Sequence, residues 1–264
     1  MPFRSPYEQA DIFCQKIYSK AKEEDKIPQS KPLVTLTFAQ TLDAKISAAK
    51  NAKTKLSCEE SMILTHHLRT IHDGILVGVG TILIDNPRLN EPSLLSTVNN
   101  PIPIILDTNL RIPTDAKILH YHKTDSAAKA PIVVCGPSNA HSQKKKEVEG
   151  CGARVICIDP SECDAEGRPL IPSILKALKS VGIKSVMVEG GANVIGSFLD
   201  CSASSGVPIV DVLIVTISPK IIGSRGTGAS DQATLASHPS GLDLKDPVYE
   251  QFGTDIICAS VLAP

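Results

Sequence analysis

Apolar residues in this chain gather in short runs, each closed by a polar residue or a glycine. Val34, Leu36 and Phe38 alternate with Thr35 and Thr37, the period of a half-buried strand. Ile75, Leu76 and Val77 sit between Gly74 and the pair Gly78/Gly80, short enough for a strand at 75–79 buried on both faces. Further runs predict strands over 102–106, 132–135, 154–158 and 185–188. Ile209–Ile217 is interrupted only by Asp211 and Thr216, and Ile256–Leu262 predicts a closing strand.

Helical spacing fills the intervals. Residues 1–24 read as a leading helix with Pro6 at its first position, a Ser5/Glu8 capping box, and Ile12, Phe13 and Ile17 on one face. A charged linker follows over Lys20–Ser30, breaking at Pro28. A second capping-box spacing, Ser57/Glu60, opens a helix carrying Leu64, Leu68 and Ile71. A helix is expected around 139–149, and another from Pro172 to a C-terminal cap at Gly182. From Ala192 on, Val194, Ile195, Phe198 and Leu199 mark an inward face. Residues 44–55 read as a mobile lysine-rich loop, 115–130 and 159–169 as polar loops, and 230–250 as irregular. The repeated order strand, polar end, helix is that of an α/β sheet. No internal repeat appears.

Composition narrows the function. With 42% hydrophobic and 21% charged residues, the 264-residue chain has ordinary globular values. A net charge of −1 gives no electrostatic reason to expect nucleic acid or an acidic membrane as partner. With five Phe, four Tyr and no Trp, the core must be aliphatic, and stacking platforms for single strands are lacking. The eight cysteines form no CxxC pair, which favours free thiols in a reducing compartment over disulfides or zinc. No membrane-length apolar run or signal-peptide pattern is present, so a cytoplasmic protein is expected. His66, His67 and His72 cluster without a carboxylate or cysteine at ligand spacing, so no metal is expected.

Two stretches carry candidate chemistry. Leu68–Asn90, LRTIHDGILVGVGTILIDNPRLN, reads as a helix end, a buried strand, a glycine turn and a polar loop with Thr81, Asp85 and Arg88. Such an opening suits a phosphate-bearing ligand or is a plain strand-to-loop corner. In SVMVEGGANVI a strand runs through Glu189 into Gly190-Gly191 and a helix start. Unpaired N–H groups and the positive helix end then coincide, a geometry that binds phosphate or pyrophosphate. Asp211 lies about where a ribose-binding acid sits in a dinucleotide fingerprint, although the glycine pattern is GG rather than GxGxxG. SPKIIGSRGTG, with Lys220 and Arg225, is either a phosphate contact or a flexible surface loop.

Together, LVTLTFAQTLDAKIS, LRTIHDGILVGVGTILIDNPRLN, PIPIILDT, and SVMVEGGANVI followed by VDVLIVTISPKIIG resemble the riboflavin-pathway reductases. More narrowly, the chain is similar to the stand-alone fungal and archaeal family acting on 2,5-diamino-6-ribosylamino-4(3H)-pyrimidinone 5′-phosphate. The resemblance covers roughly 32–262, leaving an N-terminal helix and linker (1–30) ahead of one reductase domain (31–264). It implies a dihydrofolate-reductase-like fold, a mixed, mostly parallel sheet flanked by helices, usually as a homodimer, with NADPH as hydride donor. By the same resemblance the cofactor contacts are Ala39, Thr81, Asp85, Glu189, Gly190, Gly191, Ala192 and Asn193. The substrate contacts are Arg69, Leu89 and Glu189, with Arg88 a further candidate for the phosphate.

Bacterial bifunctional relatives carry a Ser-x-Trp element where this chain has Lys53–Lys55. They also carry a zinc deaminase marked by H-x-E and P-C-x-x-C; neither signature occurs here, so reduction without deamination is expected. The implied reaction opens the aminosugar to an imine that takes a hydride at C1′, with Glu189 orienting or protonating the substrate. Two other readings stay open at this point. One is a dihydrofolate reductase, for which Asp43 is the nearby acid; the other is a non-catalytic nucleotide-binding protein of the same fold.

Overall fold

The computed structural model of the chain describes residues 5–23, 30–50, 52–89, 99–204, 209–229 and 241–262. In chain order the helices are α1 (Pro6–Glu23), α2 (Glu59–Thr70), α3 (Val79–Asp85), α4 (Tyr121–Thr124), α5 (Gln143–Gly150), α6 (Ile171–Ser180) and α7 (Ala192–Ser204). The strands are β1 (Leu33–Thr41), β2 (Lys45–Ser47), β3 (Gly74–Gly78), β4 (Ile102–Leu106), β5 (Ile132–Cys135) and β6 (Arg154–Cys157). They continue as β7 (Ser185–Glu189), β8 (Val212–Ser218), β9 (Thr227–Gly228), β10 (Val248–Phe252) and β11 (Asp255–Val261). Nine of them form a mixed, mostly parallel sheet flanked by helices, as expected, while β2 and β9 pair as a separate two-stranded sheet. Contacts divide the chain into two compact units, one of residues 1–27, 33–68 and 187–264, the other of 28–32 and 69–186.

In the first unit β1 pairs in parallel with β8, whose other edge takes β11 and then β10 antiparallel. Phe13, Ile17, Leu64, Leu68, Ile214, Phe252 and Ile257 share its core, with Phe13 meeting Phe252 edge-on at 5.6 Å. The capping box on α1 is present: Ser5 N–H donates to Glu8 Oε2 at 3.0 Å, and Glu8 N–H to Ser5 Oγ at 3.3 Å. The buried stripe of α1 is Ala10, Phe13, Cys14, Ile17 and Ala21. Ile12 lies one position round the helix and is 42% exposed, so it is not part of the inner face.

In the second unit β3, β4, β5 and β6 are parallel neighbours in that order. Strands buried on both faces need only a continuous apolar run, and β4 has the bounds the pattern predicts. Ile75, Val77, Ile105, Val133, Val155, Ile118, Leu119 and Val148 fill its core. Asp73 ties the strand starts together, its carboxylate accepting the N–H groups of Lys184 (2.8 Å) and Ser185 (3.1 Å).

Several local expectations change. β3 runs directly into α3, a seven-residue helix, instead of a glycine turn and loop. α2 starts at Glu59, so Cys58 rather than Ser57 precedes it. The acid at that end comes from afar, Asp255 accepting the Cys58 N–H (2.8 Å) and the Ser61 hydroxyl (2.5 Å). α5 begins at Gln143, capped by Ser142, behind a separate turn over Pro137–Asn139. Within the supposed mobile loop 44–55, Lys45–Ser47 pairs with Thr227–Gly228. Within 230–250, expected to be irregular, Val248 starts strand β10; residues 230–240 lie outside the described part. The loop 115–130 holds buried Ile118 and Leu119 on a short helical turn. The linker lies mostly outside the described residues, as does Asn90. Among the described residues, no helix is long and apolar enough to cross a membrane.

Candidate functional site

Val186, Met187 and Val188 are fully buried and drive β7 up to Glu189, which ends the strand half-buried. Gly190 and Gly191 then turn the chain into α7. The N–H groups of Val194 and Ile195 both reach back to the Gly191 carbonyl, at 3.0 and 3.1 Å, closing the first turn. The N–H groups of Ala192 and Asn193, at the helix start, have no partner within the helix by its geometry.

The two glycines have different reasons to be glycine. A Cβ on Gly190 would meet Val194 Cβ at 2.6 Å, so its absence lets the turn pack on its own helix. A Cβ on Gly191 would meet nothing within 4 Å, and its φ is not left-handed. No neighbour within the chain therefore demands glycine there; the space in front of the helix end is open. Ala39 is half-buried in β1, opposite Thr216 of β8 and two residues short of the strand's end.

In the second unit, α3 buries Val79 and Ile82 and carries Thr81 and Asp85 one turn apart. Among the described residues Asp85 Oδ1 is a buried oxygen without a hydrogen-bond partner, a costly arrangement that a ligand donor would relieve. Asn86 closes the helix at φ 41°, its side chain accepting the Lys117 N–H at 3.0 Å. Leu89 follows at φ 58° and is buried, a backbone conformation that costs a branched residue about 1–2 kcal/mol. The Arg88 guanidinium lies 4.6 Å from the centre of the Tyr121 ring. Arg69 is the penultimate residue of α2 and half-buried.

The structure thus brings Glu189 to Asn193 together at one strand–helix turn, and Thr81, Asp85, Arg88 and Leu89 along another. Tyr121 is a partner that sequence reasoning missed; thirty-odd residues separate it from Arg88, and no local pattern connects them.

Three acidic or basic candidates turn out to hold the fold. Asp211 accepts the Val34 N–H at 2.7 Å, at the entry ends of β1 and β8. A ribose-binding acid belongs at the opposite, carboxyl ends, so the dinucleotide-fingerprint reading of Asp211 is withdrawn. Lys220 Nζ is spent on the carbonyls of Lys55 (2.8 Å) and Leu56 (3.0 Å), not held out toward a phosphate. Asp43 accepts from the Thr41 hydroxyl at 2.5 Å and from the N–H groups of Gly223 (2.6 Å) and Ile222 (3.2 Å). These bonds, Thr41 foremost, pull its pKa down to about 2. Such a carboxylate stays ionised and occupied, unlike an acid waiting to protonate a pterin. Among the described residues no cluster of three metal-ligating side chains occurs; His67 instead lies 3.6 Å from Asp11.

Comparison with known proteins identifies the family and the fold. The family model of the RibD C-terminal domain matches residues 32–258. The chain is 37% identical over 238 residues to the 2,5-diamino-6-ribosylamino-4(3H)-pyrimidinone 5′-phosphate reductase of Saccharomyces cerevisiae, covering 88% of this chain and 87% of that one. To the reductase of the same name from Candida glabrata it is 34% identical over 241 residues, covering 88% and 90%. The solved riboflavin biosynthesis reductase of Saccharomyces cerevisiae superposes with a TM-score of 0.72 at 31% identity, over 97% of this chain and all of that one. A bifunctional deaminase/reductase from Thermotoga maritima superposes with a TM-score of 0.66 at 25% identity, over 88% of this chain and 57% of that larger one.

Proposed function

The chain belongs to the RibD C-terminal domain family, and from that premise we propose that NADPH is the hydride donor for its reduction of 2,5-diamino-6-ribosylamino-4(3H)-pyrimidinone 5′-phosphate to the ribitylamino product. It is a riboflavin-pathway reductase, as the family and its fungal relatives together indicate; the choice of cofactor and the residue roles are our reading. The observation that carries that reading is the open space at Gly191, in front of the α7 N–H groups. The orphan oxygen of Asp85 supports it independently.

In this reading Gly190, Gly191, Ala192 and Asn193 hold the pyrophosphate by backbone donors, with no Cβ at 191 to obstruct it. Thr81 and Asp85 offer the cofactor a hydroxyl and an acceptor. Ala39 gives a small side chain beside the nicotinamide. When bound, NADPH supplies the hydride that the imine carbon C1′ accepts. Glu189, at the end of β7, orients the substrate and handles the proton as the aminosugar opens. Arg69 and Arg88 take the 5′-phosphate, the latter steadied by Tyr121, and Leu89 packs against the substrate. Orientation and exclusion of water are the protein's part, so no nucleophile–base pair is needed. The same proposal includes a cytosolic homodimer, with residues 31–264 as the reductase domain.

The dihydrofolate reading loses its support with Asp43 committed to residues 222–223. Incubation with the ribosylaminopyrimidine phosphate tests the proposal. NADPH absorbance should fall in proportion to substrate, while dihydrofolate should leave it unchanged. Consumption with dihydrofolate, or with neither, would remove it.

A further inference from the structure

Cys135 ends β5 and Cys157 ends β6, and the two are direct register partners in that parallel pair. Their sulfurs are 3.3 Å apart. Parallel neighbours lie about 4.8 Å apart, inside the range of roughly 4.4–6.8 Å that Cα atoms of a disulfide span. An S–S bond is about 2.05 Å long, so closure needs little more than 1 Å of approach, which side-chain rotation supplies without parting the strands. The two thiols differ in access: Cys135 is fully buried, while Cys157 is partly exposed. Burial foremost, and Cys157 beside it, push the Cys135 thiol up, suiting it to a second step rather than a first attack. Cys163 is also partly exposed, but its thiol donates to the Asp159 carbonyl at 3.4 Å instead of facing another cysteine.

We propose that Cys135 and Cys157 form a reversible oxidation site for small hydroperoxides, closing to a disulfide between β5 and β6. The Cys157 thiolate attacks the O–O bond, becoming a sulfenic acid and releasing the other oxygen as water or alcohol. The Cys135 sulfur then attacks Cys157, forming S–S as S–O breaks, and hydroxide leaves with the Cys135 proton as water. The two thiols lose two electrons and two protons, all taken up by the peroxide. The site stands apart from the reductase reading and does not depend on it.

The test treats the full chain with equimolar hydrogen peroxide, alkylates remaining thiols after denaturation, and cleaves before aspartates so that Cys157 and Cys163 fall on separate peptides. Mass spectrometry should find the peptide Asp125–Ile158 with an internal disulfide, lighter by two hydrogens and restored by dithiothreitol, its fragment spectrum placing the bond between Cys135 and Cys157 and the alkyl group on Cys151. Cys163 should be oxidised at least tenfold less. In Cys135→Ser, dimedone should trap a sulfenic acid at Cys157 that the wild type does not yield. Oxidation spread evenly over the cysteines, a bond from Cys151 to either sulfur, or Cys135 and Cys157 both recovered alkylated would overturn the proposal; these readouts use the wild-type chain.

Discussion

Substituting Gly191 by valine separates the cofactor site from the fold. A Cβ at this position touches nothing within 4 Å and the backbone is not left-handed, so folding meets no steric barrier. Valine is a poorer helix cap than glycine but stiffens the unfolded chain, so the net change in stability is about 1 kcal/mol or less. That corresponds to a shift of roughly 2–4 °C in Tm for a chain of this size. Binding is another matter, since the branched side chain fills the space facing the Ala192 and Asn193 N–H groups. A hydrogen bond to a charged group contributes about 1.5–3 kcal/mol, so losing two removes about 3–6 kcal/mol. NADPH affinity should then fall by roughly a hundredfold or more. Gly190→Ala is the contrasting variant: its Cβ meets Val194 at 2.6 Å, and it should lose about 1–3 kcal/mol of stability as well as affinity. Fluorescence titration with NADPH, paired with a thermal melt, reads both quantities. A Gly191→Val protein that melts normally and binds NADPH as the wild type does would refute the assignment of the α7 start to the pyrophosphate.

Glu189→Ala should keep NADPH binding within about threefold while turnover falls by roughly a hundredfold or more, the range of a lost general acid–base; titration and steady-state rates check this, and normal turnover would strip Glu189 of its role. Asp43 has a folded pKa of about 2, below its unfolded value of about 3.9. Its contribution to stability is therefore complete above about pH 4 and fades as pH falls toward 2. Asp43→Asn should flatten the acid-unfolding curve in that window, and an unchanged curve would deny the carboxylate its hold on residues 222–223.

What the amino-acid pattern reveals, and what it hides, follows from where each element finds its stabilisation. β4 and β5 are buried on both faces, so their apolar runs mark their ends. α1 announces itself because Ser5 and Glu8 cap it locally. α3 does not: its cap position is Gly78, without a side-chain bond, and two of its seven residues are buried, too few for a visible period. β10 is buried only at Val248 and Phe252, its pleat leaving Tyr249 to solvent, and an edge strand reads as loop. The strand–glycine–helix turn at Glu189–Asn193 is legible because strand, glycines and helix are consecutive. Roles set by distant partners are not. Asp43 and Asp211 look like free acids until residues 222–223 and Val34 are placed beside them. Family resemblance names Thr81 and Asp85 as a pair; the fold adds that they lie one turn apart on a helix.

Transfer of hydride from NADPH to C1′ of the ribosylamino side chain can be followed by isotope. NADPH carrying one deuterium on nicotinamide C4, prepared as either epimer, should yield ribitylamino product with one deuterium at C1′ from one epimer and none from the other. Product whose deuterium lies in the pyrimidinone ring, or that carries none with both epimers, would contradict it.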